Sequence, residues 1–449
     1  MKHHFISALI LSTILQVNNI AAQNSYTLEQ LCDSAISHNA QMSSARYNVE
    51  AARQQRKEAF TKYFPSVSAV GVWFNANKAM AETQINASEY IPQELGATLQ
   101  QSFPPEALAA LGNPITIAMM KDGVIGAVTA VQPIFTGGQI YNGNRLARVG
   151  EDVSQLQLKL SENEIIKTTS EYFWQTVSLQ EKLKTVNAVD SLLQVIYGDV
   201  ETAVQAGVAV RNDLLQVQLR LNDIELQRVK INNGISLMKL ILQQYCALSD
   251  TIFTLQYTTD QMAQGESSTD PNQAVESTAE YQLLQKGVEA AKLQKKMAIG
   301  KNLPSVAVGA GYTYHNLLEN DHSFGMLFAT VNVPISDWWG GSHAAKRADI
   351  EREKAQDQLT SNAEMLKIRI HKARYGVSES QQQLAIAQKS IDQASENLRL
   401  INDRYAAGTA KMSDLLEAQL LYQQSYDAFT DAYSHLKLSE TELKIAEGE

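Results

Sequence analysis

Residues 401–420 read INDRYAAGTAKMSDLLEAQL, and residues 200–219 read VETAVQAGVAVRNDLLQVQL. Laid over each other, Ala206, Gly207, Asp213, Leu214, Leu215, Gln218 and Leu219 recur at Ala407, Gly408, Asp414, Leu415, Leu416, Gln419 and Leu420, always 201 residues later. In each copy a helical pattern runs into a glycine, which tolerates the φ > 0 that closes a helix, and a new helical pattern follows. Two more echoes flank the pair. Phe64-Pro65-Ser66-Val67 matches Leu303-Pro304-Ser305-Val306, and Pro133-Ile134 before Gly137-Gly138 matches Pro334-Ile335 before Gly340-Gly341. Two copies of one unit point to an internal two-fold repeat, and to a ring or tube with pseudo-equivalent walls.

Outward from these motifs, each copy alternates β-rich runs with long helices. The pattern predicts a helix over Ser25–Lys62, free of Pro and Gly, ending before Pro65. A charge-free β run follows at 65–75, then a loop over about 76–122 containing Pro92, Pro104, Pro105 and Pro114, then a second β run at 124–133. Helical periodicity next extends for about 68 residues, about 100 Å at 1.5 Å per residue. A helix from Asn212 to Ala247 closes the copy. The second copy repeats the order, with a helix over 274–301, strands over 304–316 and 324–334, a long helix over 341–406 and a last helix over 413–447. The domain reading is therefore an export signal at 1–22, a first repeat over 23–249, a linker over 250–273 with a short strand at Ile252–Leu255, and a second repeat over 274–449. The two short helices of each copy sum to nearly the length of its long helix, as a cylinder wall of uniform height requires.

The signal rests on Lys2, the apolar run Ile6–Leu15 and the small pair Ala21-Ala22. Beyond it, no uncharged apolar stretch reaches the roughly 18 residues of a membrane helix. The β runs are different. They are about ten residues long and uncharged, and they alternate: Val306, Val308, Ala310, Tyr312 and Tyr314 fall on one face, Ala307, Gly309, Gly311 and Thr313 on the other. Strands of that length cross the apolar layer of an outer membrane when tilted. Trp73, Phe74, Tyr312, Tyr314, Phe324, Phe328, Trp338 and Trp339 are placed for an aromatic girdle. A chain with four such strands cannot close a barrel alone, because membrane barrels start at about eight strands and an open edge in lipid is costly. It must share one with copies of itself, and three chains supply about twelve strands.

Order, spacing and duplication together resemble the TolC-type outer-membrane efflux channels, the outer membrane factor family. The resemblance covers the whole chain after the signal. It is carried by Leu31-x3-Ala35-x3-Asn39, by Pro65 and Pro304, by Pro-Ile-Phe-Thr-Gly-Gly at 133–138, and above all by Arg404-Tyr405-Ala406-Ala407-Gly408 followed by Asp414-Leu415-Leu416-Glu417-Ala418-Gln419. It implies a mixed α and β membrane protein, a homotrimer whose 12-stranded β-barrel, four strands per chain, is continuous with a long α-helical periplasmic barrel. It implies outer membrane lipid around the barrel. Its expected partners are a periplasmic adaptor (membrane fusion) protein and an inner-membrane pump, in a tripartite efflux or type I secretion system. The expected role is a passive duct for small toxic compounds, opened at its periplasmic tip. The long first loop departs from the family pattern.

The candidate site is that tip. Gly207 and Gly408 make the reversals, and Asp213 and Asp414 sit where new helices start, as caps or as charges favoured by the helix dipole. The resemblance implies that Tyr405 and Asp213 hold the channel closed, a Tyr hydroxyl donating to a carboxylate. Asp414 and Glu417, three apart, share one helical stripe and would form a cation-selective lumen ring under threefold symmetry, the alternative being a solvated outer face.

Other chemistries find little support. A net charge of −10 argues against nucleic acid. Eight scattered histidines include no HExxH, the paired glycines lack a P-loop Lys-Ser/Thr, and no catalytic arrangement, metal site or cofactor is expected. His315 and His322 flank the short outer loop, where they could touch a metal but read more readily as solvated loop residues. Cys32 and Cys246 allow a disulfide without requiring one. Tyr172, Phe173 and Trp174 read as helix packing. The rival class is a periplasmic coiled-coil structural or adaptor protein, which has no use for two charge-free hairpins.

Overall fold

The computed structural model describes residues 24–85, 115–250, 252–258, 270–317 and 321–448. The expected export signal and the four prolines of the first loop lie outside the described residues. The fold divides into two units, one of Met1–Arg53, Gly150–Glu289 and Lys354–Glu449, the other of Gln54–Val149 and Ala290–Glu353.

The first unit is mostly helical. A short strand β1 (Asn24–Tyr26) pairs in parallel with β6 (Phe253–Leu255), and α1 (Leu28–His38) follows. The expected helix from Ser25 thus starts later, because Thr27 forms a capping box with Gln30, each side chain serving the other's backbone N–H at 3.3 and 3.0 Å. It also breaks where none was foreseen, at Asn39, which is extended between α1 and α2 (Ala40–Thr61). Asn39 repays the break with two side-chain bonds. Its Oδ1 accepts from Gln41 N at 2.8 Å, and its Nδ2 donates to the carbonyl of Tyr245 at 3.1 Å.

The long helices are α3 (Gln139–Gln205) and α7 (Asp337–Ala406), of 67 and 70 residues; their partners are α4 (Arg211–Tyr245) and α8 (Met412–Glu447). The helix expected over 274–301 is also two, α5 (Pro271–Ser277) and α6 (Ala279–Gly300), parted at extended Thr278. Leu31, Phe173, Trp174, Leu242, Phe253 and Tyr433 anchor the main core, where Phe173 meets Trp174 edge-on at 5.1 Å between ring centroids. Aromatic packing of this kind adds to area burial. Cys246 is buried there and Cys32 half-buried; both are free thiols, and burial pushes them up to about 12 and about 11.

The second unit is built on one antiparallel sheet in the order β2–β5–β7–β8: β2 (Ser66–Asn75), β5 (Asp122–Thr136), β7 (Ser305–His315) and β8 (His322–Asn332). Its register is continuous except for an irregularity between Pro133 and Phe135, where Pro removes a ladder donor. Cross-strand pairs sort the side chains into two faces. One holds Val67, Trp73, Val128, Tyr312, Leu327 and Val331; the other mixes Ser68, Thr129, Thr313, His315, His322 and Thr330 with Val70, Val72, Ile125 and Met326. The expected aromatic girdle divides accordingly. Trp73, Tyr312 and Tyr314 lie on the apolar face, but Phe74, Phe324 and Phe328 lie on the mixed one. Phe328 is admitted there by Gly309 opposite, where a Cβ would collide with the ring. Trp338 and Trp339 are in the first turn of α7, and the Trp338 indole N–H donates to the carbonyl of Asn302 at 2.9 Å. The long first loop contains two arms, β3 (Ala81–Ile85) and β4 (Ile115–Met119), paired antiparallel. Among the described residues no helix is long and apolar enough to cross a membrane.

Candidate functional site

The two repeated motifs form two turns of the same backbone design. At the end of α3, Gly207 takes φ +73°. Val208 N–H then donates to Ala203 O at 3.0 Å and Gly207 N–H to Val204 O at 3.0 Å. At the end of α7, Gly408 takes φ +71°, Thr409 N–H donates to Arg404 O at 2.9 Å and Gly408 N–H to Tyr405 O at 2.9 Å. This double bond is the Schellman closure, which satisfies the last carbonyls of a helix. Thr409 Oγ1 adds a bond to Arg404 O at 3.0 Å.

Both turns are held by one apolar cluster. Val200 and Ile196 of α3 pack with Val217 of α4 and with Met412 and Leu415 of α8, and Tyr405 of α7 lies against them. The recurring Leu214 and Leu415 therefore join the same cluster. By contrast Val208 and Val210, in the first turn, stand 80% and 61% exposed.

The acidic residues divide by role. Asp213 sits in the first turn of α4, but Val210 precedes that helix and supplies no side-chain cap. Asp213 is thus left as a charge near a helix N-terminus. Asp414 caps in part: its Oδ2 accepts from Lys411 N–H at 3.2 Å, and Ser413 Oγ donates to its Oδ1 at 3.3 Å. Asp414 and Glu417 are both exposed on α8. Tyr405 is raised above the usual tyrosine range, first by burial and then by the charges of Asp213 and Asp199. Asp213 is therefore within electrostatic reach of Tyr405, yet no hydrogen bond joins them within one chain among the described residues.

Above the turns lies a polar layer that motif reading did not find. Arg220 Nη2 donates to Gln423 Oε1 at 2.9 Å, and Gln423 Nε2 donates to Gln227 Oε1 at 2.6 Å. Gln218 Nε2 donates to the Tyr197 hydroxyl at 3.2 Å. Gln419 is buried. The recurrence of Gln218 at Gln419 was the one available signal.

Residues 271–449 match a family model described as "Outer membrane efflux protein". No sequence among the curated proteins matches the chain. Among solved structures, the outer membrane protein VceC from Vibrio cholerae aligns with a TM-score of 0.71 at 14% identity, over 94% of this chain and 96% of VceC. CusC aligns with a TM-score of 0.77 at 13% identity, over 95% of this chain and 93% of CusC. The chain has the fold of the outer-membrane efflux channels. The Campylobacter jejuni CmeC outer membrane channel shares that efflux-channel fold, with a TM-score of 0.73 at 15% identity over 94% of this chain and 85% of CmeC. In this efflux-channel fold the paired turns carry Gly207, Gly408, Asp213, Tyr405, Asp414 and Glu417 on one helical unit.

Proposed function

We propose that this protein is a passive exit channel of the outer membrane, acting as a homotrimer. Each chain gives four strands to a 12-stranded barrel in lipid, and its helices stand in the periplasm. The observation that carries the reading is the β2–β5–β7–β8 sheet. One face is mainly apolar, the other carries most of the sheet's Ser, Thr and His side chains among apolar ones, and the edge strands β2 and β8 have no outer partner among the described residues. In lipid each unpaired backbone group costs several kcal/mol, so those edges need neighbouring copies. An apolar face toward lipid and a polar face toward water is the pattern of a membrane barrel.

An internal repeat fits the matched turns at Gly207 and Gly408 and the matched helix breaks. Thr278 follows Asn39 by the same interval that separates Pro304 from Pro65. The exposed Val208 and Val210 give the tip an apolar surface for an adaptor protein, which would couple the channel to an inner-membrane pump. Tyr405 and Asp213 are the proposed closing contact. Asp414 and Glu417 are the proposed lumen ring. Small toxic compounds are the proposed cargo, and the channel itself performs no chemistry.

The test is fractionation followed by electrophoresis with and without heating, then reconstitution into planar bilayers. The reading requires an outer-membrane, heat-modifiable trimer that conducts ions. A water-soluble monomer with the sheet folded would end it.

A further inference from the structure

We propose that His315 and His322 form a two-histidine site for a divalent transition-metal ion. The two residues are the last rung of the β7–β8 ladder, directly opposite each other and so on the same face. Their ring centroids are 5.4 Å apart, and both rings lie against Phe324, at 6.3 and 6.1 Å. The Nδ1 of His315 is buried and has no hydrogen-bond partner. A buried ring nitrogen with nothing to bond is costly, and a metal ion is one group that would satisfy it.

The frame around the pair is fixed. The ladder is unbroken from Ser305↔Asn332 to His315↔His322. From the neighbouring positions of β7, whose side chains point to the opposite face, the Tyr314 hydroxyl donates to Asp321 at 2.8 Å and the Tyr312 hydroxyl bonds Ser323 at 2.9 Å, tying the two strands together beside the histidine rung. Directly opposed strand residues have Cβ atoms about 5 Å apart, close enough for two imidazoles to grip one ion through metal–nitrogen bonds of about 2 Å.

Among the described residues no group of three or more His, Cys, Asp or Glu is placed to hold a metal. The two imidazoles are then the protein's whole contribution, and water fills the other positions. Such an open nitrogen site prefers Cu²⁺, ahead of Ni²⁺ and Zn²⁺. Because the pair shares its face with Thr313, Thr129 and Ser68, the channel reading puts it inside the bore, at the mouth. Metal binding does not rest on that reading; the position in the bore does.

The experiment uses the mature, untagged protein in detergent and Cu²⁺ alone as probe. Paramagnetic resonance at neutral pH should show one Cu²⁺ per chain with two imidazole nitrogens. Outer partners of metal ligands are already worth about ten- to a hundredfold in affinity, so His315→Asn and His322→Asn should each weaken binding by at least about tenfold. The His38→Asn control, on α1, should leave it unchanged. Equal Cu²⁺ binding by the His315→Asn/His322→Asn double variant overturns the site. In bilayers, Cu²⁺ added on the hairpin side should lower the current of the wild type and not of the double variant. Two-imidazole binding with an unaltered current would keep the site and refute its place in the bore.

Discussion

Arg374 clasps Glu447 by two donors to one oxygen: Nε and Nη2 lie 2.8 and 2.6 Å from Glu447 Oε1. Glu447 is only 6% exposed. The pair joins the middle of α7 to the last residue of α8, whose carbonyl also accepts from Ser277 Oγ at 2.8 Å. Removing one charge from a fully buried pair costs about 3–5 kcal/mol, and less is expected here because Arg374 is only part-buried, whereas replacing both partners with apolar residues is often neutral. Glu447→Gln should therefore lower the denaturant midpoint clearly, and Arg374→Met/Glu447→Met should recover much of the loss. Equal midpoints for wild type and Glu447→Gln would show that the pair contributes nothing.

The glycine turns should be intolerant of side chains. At φ +71° and +73°, Gly408→Ala and Gly207→Ala each face the left-handed penalty of about 1–2 kcal/mol. Space is not the cause, since a Cβ at either position meets nothing within 4 Å. The expected result is faster proteolytic nicking at the altered turn with little change in global melting. Unchanged cleavage would mean that the turn is held by something other than its glycine.

If Tyr405 and Asp213 close the tip, then Tyr405→Phe and Asp213→Asn should each raise single-channel conductance. Both are near-isosteric, and Tyr405 keeps its packing in the apolar cluster as Phe. Identical conductance in wild type and both variants rejects the gate while leaving the channel intact.

The fold was legible where periodicity and punctuation agreed. Gly207 and Gly408 announced turns, Pro65 and Pro304 announced strand entries, and ten-residue uncharged alternation announced the sheet. What escaped were features decided by single side-chain bonds, two of them reaching far along the chain. Asn39 ends a helix by accepting locally from Gln41 N–H and by reaching the carbonyl of Tyr245, a partner 206 residues away that periodicity does not show. Thr27 delays a helix start through Gln30, a capping-box pattern that was present in the sequence and passed over. The Arg220–Gln423–Gln227 layer joins α4 to α8 across some 200 positions, and polar residues on a long helix read as solvated until their partner is known.

The small β1–β6 junction should respond to acid. Asp250 accepts from the Tyr26 hydroxyl at 2.6 Å and from Asn24 Nδ2 at 2.7 Å, and these two bonds hold its carboxyl below the usual range. A depressed carboxyl contributes its stability above the unfolded-state pKa, about 3.9, and loses it as pH falls through the lower folded value. Protection of the β1–β6 amides in hydrogen exchange should therefore be level near neutrality and fall below about pH 4. In Asp250→Asn this acid-dependent loss should be absent. A wild type with flat protection through pH 3 would remove Asp250 as its source.

The last prediction concerns ion selectivity. Asp414 and Glu417 are both exposed and one turn apart on α8. A ring of carboxylates favours cations in a pore, and three chains would bring six to one level. Asn at 414 keeps an acceptor for Lys411 N–H, so the start of α8 survives the change. Asp414→Asn/Glu417→Gln should then lower the cation-to-anion permeability ratio, read from the reversal potential under a salt gradient, without altering the yield of folded protein. The effect should shrink as salt rises, because exposed charges are screened within about 10 Å at 0.1 M. A ratio that is unmoved at low salt places these carboxylates outside the bore and leaves Asp414 only its part in starting the helix.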